Sequence, residues 1–142
     1  ERGLTERGRA DAARAAGAMA RAGLKAEFAL VSPARRTRET FAHVAETLGQ
    51  PRVEDPMALY HASPSMLERA VLEALDSGAG DFVLVGHNPG VGAIAHALAS
   101  RAGDLSGLPQ GWPTSAWIAF EIGRDADGLT AFRRIDHFNP KS

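Results

Sequence analysis

The sequence predicts an α/β domain built on a mainly parallel sheet, and three observations carry that prediction. Two four-residue runs, Phe28-Ala29-Leu30-Val31 and Phe82-Val83-Leu84-Val85, are apolar on both faces, as strands buried in a parallel sheet are. Each leads at once into a polar turn and a helical pattern, the strand–turn–helix order of βαβ units. Near the end, Asp125-Ala126-Asp127-Gly128 separates two further strand-like runs, and Asp-Gly is a strong signal for an antiparallel hairpin.

Taken in order, the chain begins with a short polar lead, Glu1 to Leu4, and Thr5 is a good helix N-cap. From Ala10 to Ala22 the residues Ala12, Ala16 and Met19 fall on one face, while Arg7, Asp11, Arg14 and Arg21 lie elsewhere on the wheel. The small apolar residues imply a close approach to the surface beneath, and Gly23 ends the helix. After the Phe28–Val31 strand, Ser32-Pro33 reads as N-cap followed by proline at the first helical position. That helix is expected to run to about Leu48 and to stop at Gly49. Arg52-Val53-Glu54 is a weak strand candidate, and Asp55 to His61 a loop. Ser63-Pro64 then repeats the helix-start signature, with Met66, Ala70, Leu72 and Leu75 as the apolar face of a helix ending near Ser77-Gly78. A strand over Asp81–Val85 precedes Gly86-His87-Asn88-Pro89-Gly90, and Val91, Ile94, Ala95 and Leu98 stripe the next helix up to about Ser100. Arg101 to Gln110 reads as loop, Ala116–Ile122 and Leu129–Ile135 as the two hairpin strands.

Length and composition narrow the function. A chain of 142 residues is enough for one domain with a core of its own, 44% hydrophobic and 23% charged. The formal net charge of −1 gives no support to a nucleic-acid or acidic-membrane partner. The absence of cysteine excludes a disulfide scaffold, a thiol nucleophile and a cysteine-based zinc site, and suits a cytoplasmic protein. No apolar run approaches the roughly 20 residues needed to span a membrane.

Two strand-to-helix turns hold the unusual chemistry. Arg35, Arg36 and Arg38 sit in the first turns of a helix, where the dipole prefers acids, and such local violations tend to mark functional sites. His87 follows the second strand directly and precedes a helix, the place where open α/β sheets bind ligands. Either feature alone has a plain alternative, a solvated arginine face or a structural histidine. Strand C-termini of a parallel sheet share one edge, so Arg36 and His87 together describe a pocket for a phosphoryl group: a planar fork of permanent charge beside an imidazole active near neutral pH.

Ser32-Pro33-x-x-Arg36-x-x-x-Thr40 with Gly86-His87-Asn88-Pro89 downstream resembles the histidine phosphatase (phosphoglycerate mutase-like) superfamily. Leu4-Thr5-x-x-Gly8 is similar to that superfamily's opening of its first helix. Leu59-Tyr60-His61-Ala62-Ser63 and Pro113-Thr114 before a strand are similar to its short SixA-type phosphohistidine phosphatases. The resemblance covers nearly the whole chain. It implies one domain over residues 1–142, three-layered, with helices on both faces of a mainly parallel sheet and a C-terminal antiparallel hairpin. It implies a phosphatase acting on phosphohistidine or a small phosphomonoester through a phosphohistidine intermediate, needing no metal and no other cofactor. Arg36 matches a phosphate-binding arginine and His87 the second active-site histidine, with Asn88 and His61 as further substrate-binding candidates. The partner is then a phosphorylated small molecule or a phosphohistidine protein.

One part of the family pattern has no counterpart here. The family's acceptor histidine stands in an Arg-His-Gly motif ending its first strand, and none of His43, His61, His96 or His137 has that context. The resemblance therefore leads us to expect roughly 15–25 further N-terminal residues, a strand plus a connecting loop. The alternatives are a non-catalytic phosphate-binding module, or a phosphatase or mutase for another small phosphate ester. His43 is expected to be a partly buried structural residue. His96, His137, Trp112 and Trp117 are expected in structural or packing roles. His61 falls near the loop where larger relatives carry an acidic proton donor, and Asp55 is the one carboxylate at hand in that loop.

Overall fold

The computed structural model describes residues 3–78, 80–109 and 111–141. Glu1 and Arg2 of the expected polar lead, and Gln110 at the end of the expected loop, lie outside the described residues. The elements are α1 (Glu6–Ala22), β1 (Phe28–Val31), α2 (Arg35–Val44), β2 (Arg52–Glu54), α3 (Pro64–Asp76), β3 (Phe82–Val85), α4 (Gly90–Arg101), β4 (Trp117–Asp125) and β5 (Gly128–Phe138).

The three layers follow from the two-residue period of the strands. On β1, Phe28 and Leu30 point to one side, where Leu67, Val71 and Ala74 of α3, Ile94 and Leu98 of α4, and Leu129 and Ala131 of β5 close over them. Ala29 and Val31 point to the other side, against Ala16 and Met19 of α1 and Phe41 and Val44 of α2. On β3, Phe82 and Leu84 join the first cluster, Val83 and Val85 the second. Both-faces-apolar runs are what a sheet with helices on each side requires, and β1 is buried along its length.

β1 and β3 pair in parallel with Val31 level with Val85, so the turns that leave them start from the same edge. The strand order is β2-β1-β3 in one sheet and β4-β5 in another, the second pair antiparallel. This corrects the reading of Phe82–Val85 as fully buried. All four of its residues are half-buried, because β3 stands at the end of the three-stranded sheet and borders a cleft.

Local chemistry explains most boundaries. Thr5 Oγ1 accepts the Gly8 N–H at 3.0 Å and starts α1. Gly23 closes that helix at φ +70°, a left-handed conformation natural to glycine. Ser63 caps α3 by accepting from the Met66 N–H. Three expectations are corrected. The buried stripe of α3 is Leu67, Val71 and Ala74, and Met66 stands 46% exposed, one position out of phase. Asp11 belongs to the buried face of α1, where the guanidinium groups of Arg7 and Arg14, at 3.1 and 3.5 Å, let a carboxylate remain. Regular α2 ends at Val44 and continues to Leu48 only as hydrogen-bonded turns, with Gly49 at φ +90°.

Candidate functional site

The site is built at the edge where β1 and β3 end together. The Ser32 N–H donates to the Val85 carbonyl at 2.9 Å, which fixes the two strand ends side by side. Ser32 is fully buried. It does not cap α2: Ala34 occupies the N-cap position without a side-chain bond, and Pro33 precedes it. The hydroxyl is instead 2.9 Å from Nε2 of His87, a hydrogen bond whose donor depends on the tautomer. Thr37, also buried, turns its hydroxyl back to the carbonyls of Ser32 and Ala34 at 2.7 and 2.8 Å. Ser32 and Thr37 thus set the shape of the turn that presents Arg36.

Arg36 is exposed and lines a cleft beside β3. No carboxylate pairs with it among the described residues, whereas neighbouring Arg35 is bound to Glu39 at 2.8 Å. Glu39 also accepts the Leu4 N–H at 2.6 Å. That backbone bond first, and the Arg35 side chain second, hold its carboxyl below the ordinary value. Arg35 therefore serves the packing of the lead before α1, and Arg36 is left facing the cleft.

His87 is half-buried, and its carbonyl accepts the Val91 N–H at 2.9 Å, so α4 begins directly behind it. Gly90 lets the 60–63 loop pack against this turn: a Cβ there would lie 2.6 Å from the Ala62 carbonyl oxygen. The loop brings His61 over His87, the rings stacked at 4.9 Å and 30°, with Tyr60 edge-on to both at 4.4 and 5.9 Å. His61 adopts φ +52°, a left-handed conformation uncommon outside glycine that histidine, like asparagine and aspartate, takes more readily than most residues. One face of the His87 ring is thus covered while Ser32 fixes an edge.

Asn88 ties the turn to the segment that leads into β4. Its Nδ2 donates to the Trp112 carbonyl, and its Oδ1 accepts the Gly92 N–H at 3.2 Å. Arg36, His61, His87 and Asn88, all singled out in the sequence, line one cleft of about 340 Å³. Ser32, Thr37, Tyr60 and the Thr114-Ser115 corner of the same cleft were not singled out as site residues. Ser115 holds φ +70° with its hydroxyl buried and without a hydrogen-bond partner among the described residues.

The other histidines lie elsewhere. His43, expected to be partly buried, is exposed on α2 and does not line the cleft. His137 bonds Arg134 at 3.1 Å on β5. His96 faces a neighbouring cavity. Trp117 is a packing residue, as expected, with Nε1 donating to the Ala15 carbonyl and its ring stacked on Phe138. Among the described residues no three His, Asp or Glu side chains converge as metal ligands, and no helix is long and apolar enough to cross a membrane. A guanidinium and an oriented imidazole together at the C-terminal edge of a parallel sheet can hold a tetrahedral oxyanion.

No curated protein sequence matches the chain significantly. Solved structures do. SixA from Agrobacterium tumefaciens superposes with a TM-score of 0.77 at 25% identity, over 99% of this chain and 85% of that one. The protein histidine phosphatase SixA complexed with tungstate gives 0.76 at 21% identity, over 99% and 85%. SixA from Nakamurella multipartitia gives 0.69 at 23%, over 100% and 87%. Residues 2–58, which include Ser32 and Arg36 but neither His61 nor His87, match the family model of the histidine phosphatase superfamily (branch 1). The likeness first seen in the motifs is thus to the histidine phosphatase superfamily in the sequence of residues 2–58, and to the SixA fold in the backbone of the whole chain.

Proposed function

We propose that the cleft is the phosphoryl site of a phosphatase that acts on phosphohistidine or a small phosphomonoester. The single observation that carries the reading is the convergence of Arg36, without a carboxylate partner among the described residues, and His87, bonded to Ser32, in one cleft at the sheet edge. Arg36 would grip two phosphoryl oxygens through its fork. His87 would donate to a third and stabilise the charge that develops as the phosphoryl group passes between atoms. SixA bound to tungstate, an oxyanion of the same shape, supports the reading through its shared fold.

The chemistry then runs in two transfers. An acceptor imidazole nitrogen attacks phosphorus, the bond from phosphorus to the substrate's nitrogen or oxygen breaks, and the leaving group takes a proton. Water attacks the phosphohistidine next, releasing inorganic phosphate and restoring the imidazole. His61, stacked on His87 in the cleft, would supply the leaving-group proton. The acceptor would come from a strand ending in Arg-His-Gly laid along the open edge of β3, whose last residue Val85 stands beside the His87 turn.

Calorimetric titration with tungstate tests the reading. Micromolar binding by the unaltered chain, lost in Arg36→Ala and in His87→Ala, is expected. Affinity unchanged in both variants would remove the phosphoryl site. Tight tungstate binding with no turnover even after an acceptor strand is supplied would favour the phosphate-binding module instead.

A further inference from the structure

The phosphoryl cleft has walls from two different sheets. β3 lines one side and the start of β4 the other, and among the described residues no backbone ladder joins them. The side chain of Asn88, next to His87, bridges this gap. Its Oδ1 accepts the Gly92 N–H at 3.2 Å in the first turn of α4, and its Nδ2 donates to the Trp112 carbonyl in the segment before β4. Gly92 allows the close fit, since a Cβ there would lie 3.0 Å from Cβ of Trp112 and 3.2 Å from Oδ1 of Asn88.

The bridged segment is one that would relax if released. Trp112 and Ser115 both hold left-handed backbone, at φ +25° and +70°. Such conformations are uncommon outside glycine and persist where the surrounding structure over-determines them. Ser115 also keeps a buried hydroxyl without a hydrogen-bond partner among the described residues. Within the corner, the Ala116 N–H donates to the Pro113 carbonyl at 3.1 Å. Trp112 to Ser115 line the same cleft as Arg36 and His87, so a displacement of this corner changes the space left for an oxyanion. Binding groups misplaced by about 1 Å lose much of their effect.

Asn88, a substrate-binding candidate in the sequence, has its amide engaged at both ends. Turning that amide toward an oxyanion would break both bonds. We propose that Asn88 is a positioning residue: it holds the Trp112–Ser115 corner against the His87 turn and so sets the width of the phosphoryl cleft, without touching the phosphoryl group. The proposal rests on the phosphoryl-site reading above and adds to it the residue that fixes the far wall.

The test uses the full chain with tungstate as the probe. Asn88→Ala should lower tungstate affinity about fivefold, the scale of one lost hydrogen bond. The chain has two tryptophans, so labelling with fluorotryptophan gives two fluorine resonances, assigned with Trp117→Phe. In Asn88→Ala the Trp112 resonance should shift or broaden, while that of Trp117, held by the Ala15 carbonyl, stays in place. A covalent brace then separates positioning from contact. The chain has no cysteine, and the 3.0 Å between Cβ positions at 92 and 112 is close to the roughly 3.5–4.5 Å that a disulfide spans. In Asn88→Ala carrying Gly92→Cys and Trp112→Cys, oxidation should recover most of the lost affinity and reduction should remove it again. A direct contact between Asn88 and the anion could not be restored in this way, so a formed disulfide without recovery overturns the proposal. Unchanged tungstate affinity in Asn88→Ala, or an unmoved Trp112 resonance, overturns it too, while tungstate binding still upholds the phosphoryl site. Movement of both resonances would assign Asn88 to the stability of the whole fold and would also overturn the proposal. No tungstate binding by the unaltered chain overturns both readings.

Discussion

Ser32 Oγ lies 2.9 Å from Nε2 of His87, joining the residue after β1 to the residue after β3 by one hydrogen bond between side chains. The contact exists because Val31 and Val85 are level in the sheet and because Ser32 N–H holds the Val85 carbonyl. Orientation of the imidazole is therefore written into the register of two strands.

Ser32→Ala should leave the fold intact and free the His87 ring to turn. Loss of one hydrogen bond is worth about 1 kcal/mol, roughly fivefold in tungstate affinity. The decisive readout is the nitrogen chemical shifts of His87, which should move toward a mixture of tautomers. Shifts identical to those of the unaltered chain would mean that the ring is held without Ser32.

Arg36→Ala should weaken tungstate or vanadate binding by on the order of 2–4 kcal/mol, the effect of removing a preorganised charged donor from a phosphoryl site. Arg36→Lys should recover only part of it, because an ammonium keeps the charge but not the planar fork. His87→Ala should match Arg36→Ala. Full recovery by lysine, measured by titration at one fixed salt concentration, would show that bidentate geometry is irrelevant here.

How far the sequence prefigured this site can be judged from particular residues. Arg36 and His87 were legible because each follows a both-faces-apolar run, and the parallel sheet brings such positions to one edge. Ser32 was misread, since Ser-Pro is a strong helix-start signal and only the packed structure shows its hydroxyl turned to His87. The wall around Trp112 and Ser115 depends on left-handed backbone at both residues, φ +25° and +70°, which residue type does not announce. Met66 misled by hydrophobicity alone, because the face of α3 that meets β1 is set by Leu67. Asp11 hid inside a buried face because Arg7 and Arg14 accompany it on the same helix.

Acid should loosen the lead before α1 ahead of the core. Glu39 is held below its ordinary value of 4.5 chiefly by the Leu4 N–H and then by Arg35. A depressed carboxyl contributes stability that is present above its unfolded value and lost as pH falls through the folded one. Protection of the Leu4 amide, its exchange rate taken relative to a free peptide at the same pH, should therefore fall as the solution is acidified below the ordinary value of 4.5. Glu39→Gln should remove this pH dependence, and an unchanged profile in that variant would locate the titrating group elsewhere.

The leaving group should reveal how much acid catalysis His61 supplies. A phosphorylated imidazole departs more readily than an alkoxide, which needs a proton in the transition state. With an acceptor histidine in place, phosphohistidine peptides and aryl phosphates should turn over faster than sugar phosphates. His61→Ala should cost alkyl substrates about 10²-fold, the usual scale of general acid catalysis, and aryl substrates little. Equal losses on both would assign His61 to binding, and no loss on alkyl phosphates would turn attention to Asp55.

The open side of β3 carries the last prediction. Val83, Leu84 and Val85 line the cleft on one side and Ala116 and Trp117 on the other, so apolar surface and strand backbone face a slot between the two sheets. Buried N–H and C=O groups left unpaired are costly, and an added strand would satisfy them. We expect a short apolar peptide ending in Arg-His-Gly, offered in trans or fused ahead of α1, to occupy that slot and slow amide exchange along β3. Its histidine would then stand next to Arg36 and His87 and become phosphorylated, detectable by intact mass after reaction with phosphoramidate. Tungstate should bind with or without the peptide, and phosphate release should rise when the peptide is present. Turnover without the peptide would show that the acceptor is already present, and His61 would be the first residue to replace. Exchange along β3 that does not respond to the peptide, together with no phosphorylation, would leave the slot as packing space only.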